Sequence, residues 1–125
     1  MNSREKGKRG ERQWRDELRA NGYDARRGQQ FCGSAESPDV VCDQLHWIHF
    51  EVKAVEKLNV QDAMDQASRN AGGKVPLVAH KRNFRPWLVT MTGEIFFQFL
   101  RGVLPPEPEN TQQARKEETH EDKRQ

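Results

Sequence analysis

A chain of 125 residues with 34% hydrophobic and 32% charged residues and a mean hydropathy of −1.05 can build one modest core and not two independent ones. No apolar run approaches the length of a membrane span and none follows the basic N-terminus, so neither a transmembrane helix nor a signal peptide is expected and the protein should be cytoplasmic. The net charge of +2 hides an asymmetry: residues 1–105 hold 17 basic and 13 acidic side chains, residues 106–125 hold 4 and 6, so the segment with a core pattern is the cationic one. Such a surface suits a polyanion, although a solvated basic helix has the same composition. The two cysteines, Cys32 and Cys42, could form one bridge at most, which fits a reduced intracellular protein.

Arg4, Lys6, Lys8, Arg9, Arg12 and Arg15 crowd the first fifteen residues against Glu5 and Glu11. The spacing predicts a helix over residues 5–21, with Trp14 and Leu18 on one face and Asn21-Gly22 as its stop. Glu11 stands three before Trp14 and seven before Leu18, hence on the same face. A buried acid is costly unless paired or metal-bound, so Glu11 is either a helix-end residue reaching water or an acid aimed at a metal. Residues 23–27 predict a first strand bearing Arg26 and Arg27. Residues 28–37, rich in small and polar side chains and without periodicity, read as a loop beside the next strands. Those strands are expected at 39–42 and 47–55.

Helical periodicity returns over residues 60–71, where Val60, Ala63, Met64, Ala67 and Ala71 form one stripe before Gly72-Gly73. Residues 75–80 and 87–91 read as apolar strands separated by the basic turn Lys81-Arg82-Asn83-Phe84-Arg85-Pro86. Residues 94–100 fit a strand or a helix, and their phenylalanines suit a core or a subunit interface better than a base-stacking platform. After Pro105, Pro106 and Pro108 the chain is charged and patternless, which divides it into a domain over 1–104 and a disordered tail over 105–125.

The chemistry concentrates in Ser37-Pro38-Asp39-Val40-Val41 and Ile48-His49-Phe50-Glu51-Val52-Lys53. In a strand, alternate side chains share a face roughly 6.5 to 7 Å apart. His49, Glu51 and Lys53 therefore stand on one face, and Ile48, Phe50 and Val52 on the other. If the preceding strand pairs with this one as a hairpin, Asp39 reaches the same spot. Carboxylates are the hard ligands that Mg²⁺ prefers, and an ion held by one or two of them keeps sites free for a phosphate. Such an ion polarises the phosphoryl group and acidifies a bound water, while the lysine orients that water or neutralises developing charge. The reaction implied is phosphodiester hydrolysis; the same residues also describe a turn and the solvated side of an edge strand. Cys32, Cys42, His46 and His49 are zinc-type ligands, but their spacing forms no paired motif.

The order of helix with Glu11, strand, small-residue loop, Pro38-Asp39, Glu51-Val52-Lys53, helix, strand and strand resembles the PD-(D/E)xK nuclease superfamily. More narrowly it is similar to the archaeal and phage Holliday junction resolvases. The resemblance covers residues 3–91 and includes Lys6-Gly7-Lys8-Arg9-Gly10-Glu11 and the loop with Gly33-Ser34. It implies an α/β, restriction-endonuclease-like fold, with a mixed central sheet flanked by helices. Asp39 and Glu51 would bind Mg²⁺ or Mn²⁺, Glu11 would complete the acidic site, and Lys53 would position the attacking water or stabilise the transition state. Ser34, with Ser37 as competitor, would lie near the scissile phosphate, and Gln66 near the site as a supporting residue. Arg4, Lys6, Lys8, Arg9, Arg26 and Arg27 would contact DNA backbone. The implied substrate is branched DNA, cut by a homodimer, with Trp87, Phe96, Phe97 and Phe99 as candidate interface or core residues. A nuclease of the same fold acting on other DNA structures, and a non-catalytic DNA-binding module, remain open as alternatives.

Overall fold

The computed structural model describes residues 3–28 and 39–102. Helix α1 (Ser3–Ala20) is followed by β1 (Ala25–Arg27), β2 (Val40–Cys42), β3 (Ile48–Ala54), α2 (Val60–Asn70), β4 (Val75–Lys81), β5 (Leu88–Thr90) and α3 (Gly93–Arg101). The sheet is mixed, in the order β1-β2-β3-β4-β5. Strands β1, β2 and β3 pair antiparallel, β3 and β4 run parallel through the α2 crossover, and β5 returns antiparallel on β4.

Periodicity decides which layer each helix joins. The Trp14–Leu18 stripe of α1 packs on Val40, Ile48, Phe50, Val52, Leu77 and Ala79, where Trp14 meets the Phe50 ring edge-on at 5.6 Å. Ala63, Met64 and Ala67 of α2 cover the opposite face against Val78, which is wholly buried. Small side chains there let the helix lie close to the sheet. Helix α1 stops where expected: Gly22 adopts φ 93°, and the Tyr23 N–H donates to the Leu18 carbonyl at 3.0 Å. Residues 94–100 prove helical, because the Thr92 hydroxyl caps the Ile95 N–H at 3.2 Å and Gly102 closes the last turn in the left-handed conformation.

The elements agree with the sequence-based boundaries to within two residues, the first strand being three residues long rather than five. Strand β3 is buried on both faces, so the solvated-edge description of Glu51 does not apply. Trp87 and Phe99 pack against the core, whereas Phe96 and Phe97 are about half exposed, and this separates core residues from interface candidates. The proposed disordered tail and the loop residues Ser34, Ser37 and Pro38 lie outside the described residues. No described helix is long and apolar enough to cross a membrane.

Candidate active site

The site is built by the β2–β3 pairing. Val40 pairs with Phe50 in antiparallel register, and continuing that register by one residue sets Asp39 opposite Glu51. Facing β-carbons in such pairs stand about 5 Å apart. Asp39 is fixed there by its own strand pair: the Val52 N–H donates to Asp39 Oδ2 at 2.9 Å. The Gly28 N–H donates to the Asp39 carbonyl at 3.0 Å, so the chain leaves β1 and returns to β2 beside the carboxylate.

Glu51 is 4% exposed, facing α2 with Val78 as its β4 neighbour. Its Oε1 lies 3.1 Å from His49 Nε2, two residues back on the same face; an ionised carboxylate only accepts, so the imidazole donates. Burial by itself would raise the pKa of Glu51. The hydrogen bond and charge of His49, the charge of Lys53 and a hydrogen bond from Asn70 outweigh it and hold the carboxyl below its ordinary value. Asp39 goes the other way. Burial first and the Glu51 charge second, with Glu11 adding to them, push its pKa from 3.8 to about 7 against the Val52 hydrogen bond and Lys53. One acid of the facing pair is therefore held ionised and the other is poised between states.

Glu11 arrives from the other layer, on α1. It is 9% exposed, shares its face with Trp14 and Leu18, and accepts from Arg27 Nε at 3.1 Å. The cost of its burial is met by that pair, and its charge still reaches Asp39. Gly10 explains how α1 comes so near: a β-carbon added there would stand 2.8 Å from Ala54 Cβ at the end of β3. Lys53 is partly buried on the Glu51 face, beside His80 of β4.

Asp39 and Glu51, with Glu11 behind them, are the residues that could hold a divalent cation. Their donor set fits one: hard oxygens whose mutual repulsion raises Asp39 are what a cation would relieve. Each carboxylate presently faces a protein partner, and among the described residues no three His, Cys, Asp or Glu side chains stand together as a finished cage. Of the zinc-type ligands, Cys42 is a buried free thiol, His46 closes a 3₁₀ turn, His49 pairs with Glu51, and Cys32 lies outside the described residues.

The basic residues divide. Lys6 and Arg9 are exposed on α1, and Lys8 is half-buried, 3.9 Å from Glu5. Arg26 is exposed and pairs with Asp43 at 3.3 Å, while Arg27 is committed to Glu11; the side chain of Arg4 lies outside the described residues. Gln66 is half-buried one turn before Asn70, and it is the Asn70 amide that reaches Glu51. Sequence reasoning overlooked Asn70 and gave His49 no role beside Glu51, although the strand alternation had already set His49 on the right face.

No protein-family model matches this chain, and no curated protein does. Among solved structures it is similar to Hjc from Archaeoglobus fulgidus, a Holliday junction resolvase from an archaeal hyperthermophile. The two are 26% identical over 69% of this chain and 72% of the other, with a TM-score of 0.50. The mixed five-stranded sheet flanked by three helices is shared with that resolvase.

Proposed function

We propose that this protein is a Mg²⁺- or Mn²⁺-dependent endonuclease that resolves four-way DNA junctions by hydrolysing phosphodiesters. The observation that carries the reading is the convergence of Asp39, Glu51 and Lys53 on one face of the β2–β3 pair, in a fold shared with a Holliday junction resolvase. Similarity to that resolvase supports a nuclease in general, and the site supports the chemistry. Asp39 and Glu51 would hold the cation and Glu11 would complete the acidic cluster. A bound divalent ion supplies Lewis acidity to the scissile phosphate. The Lys53 ammonium positions the attacking water and offsets charge that builds on the phosphorane. His49 and Asn70 keep Glu51 ionised and oriented. In-line attack breaks the P–O3′ bond and leaves a 5′-phosphate. Lys6, Lys8 and Arg9, with Arg4 and Arg26, supply phosphate contacts that position the DNA without reading its bases, while Arg27 serves the site through its pair with Glu11. Ser34 is assigned to the vicinity of the scissile phosphate and Gln66 to the supporting shell.

A junction presents two symmetry-related strands, which a two-fold dimer matches. The interface is assigned to the exposed apolar surface of α3 and the edge strand β5, where Phe97, Leu100 and Leu88 are 54%, 66% and 57% exposed.

A labelled synthetic four-way junction, incubated with Mg²⁺, with EDTA, or with Glu51→Ala protein, tests the reading. Paired symmetric nicks that need the metal and fall about 10³-fold or more without Glu51 are expected. Linear duplex cut as fast as the junction would overturn the substrate assignment. Tight junction binding with no nicking in either metal would leave a binding module.

A further inference from the structure

The basic turn between β4 and β5 has no part in the chemistry above, yet it carries the most exposed large apolar side chain described. Phe84 is 101% exposed at its tip. A single exposed hydrophobic residue is ordinary, but its backbone is not: φ is 62°, a positive value no other non-glycine residue has among the described residues. A bulky side chain is strained in that region, where glycine or asparagine would suit. The turn is nevertheless held in place. The Asn83 N–H donates to Glu56 Oε2 at 2.6 Å, and the Arg85 N–H to the Arg82 carbonyl at 3.2 Å. The fold thus spends stability on presenting a ring that packs against nothing among the described residues.

The surroundings indicate what the ring meets. Exposed Arg82 and Arg85 flank it, and Phe84 and Arg82 line one cleft with Arg9 of α1 and Ala54 of β3. Lys81, at the root of the turn, pairs with Ala54, three residues along the sheet from the Glu51–Val78 row, or about 10 Å at 3.3 Å per residue. An aromatic face among cations, continuous with the basic helix, suits a π-surface attached to phosphates.

We propose that Phe84 stacks on an unpaired nucleobase of the bound DNA, at the branch point of a junction, while Arg82 and Arg85 hold the adjoining phosphates. This rests on the nuclease reading for the identity of the substrate and on the turn itself for the stacking.

Photo-cross-linking in EDTA tests it, with 5-iododeoxyuridine placed at the branch point of a four-way junction or within a single-stranded oligonucleotide. Wild type is expected to cross-link through the peptide containing Phe84. Phe84→Gly relieves the backbone strain, so it should fold at least as stably as wild type. It should lose the cross-link and about tenfold in junction affinity, and Phe84→Trp should restore both. A glycine variant that binds as tightly, or a wild-type cross-link confined to other peptides, would overturn the stacking role and leave the resolvase reading intact. Cross-linking at Phe84 to the single strand without junction binding would uphold the stacking role and remove the resolvase reading. Binding to neither DNA would overturn both.

Discussion

Asp39→Asn removes a charge that the fold holds at a disadvantage. In the metal-free protein the Asp39 carboxyl has a pKa of about 7, against 3.8 for the ordinary group. The folded state therefore binds more protons than the unfolded state between those values, and stability contributed by this residue falls as pH rises from about 4 to 7. Each unit corresponds to 1.36 kcal/mol, so the difference amounts to about 4 kcal/mol, or about 2 to 4 once partial solvent access is allowed for. Asparagine is always neutral and its carbonyl oxygen can still accept from the Val52 N–H. In EDTA at pH 8, urea unfolding of Asp39→Asn should show a gain of that size, shrinking toward zero at pH 4. Added Mg²⁺ should stabilise wild type at pH 8 and leave the variant unmoved. Equal stability of the two proteins across the pH range would refute the assignment of strain to Asp39. A gain of the same size at pH 4 and pH 8 would attribute it to something other than titration.

Two further substitutions probe how the site and the assembly are positioned. Gly10→Ala should improve helix propensity by about 1 kcal/mol but force α1 about 1 Å away from Ala54, an overpacking cost of about 1 to 3 kcal/mol. A net loss in thermal stability and a larger loss of cleavage are expected because Glu11 is the next residue; both should recover in Gly10→Ala/Ala54→Gly, and an unperturbed single variant would contradict the close approach. Wild type should sediment as a dimer and Phe97→Asp as a monomer, since Phe97 is 54% exposed on α3; a wild-type monomer at micromolar concentration would remove α3 as the interface.

Much of the architecture was legible along the chain because the relevant signals are local. The Trp14–Leu18 spacing, the alanine stripe of α2 and the alternation of β3 each follow from one element's period. Glu11 could be placed on a buried helix face in the same way. Its partner could not: Arg27 is sixteen residues away, and only the packing of α1 on β1 brings them together. Residues 94–100 stayed ambiguous because their apolar residues fit both periods, and a threonine cap with a left-handed glycine decided for helix.

By itself, then, the sequence determined the period of each element and which faces are apolar, since these depend on neighbours within a few positions. Tertiary structure decided the rest. The β2–β3 register set Asp39 against Glu51, burial and the Glu51 charge raised the proton affinity of Asp39, and His49, Lys53 and the Asn70 delivered by α2 lowered that of Glu51. Desolvation and charge–charge coupling depend on distances between elements remote in sequence, and no period within one element encodes them.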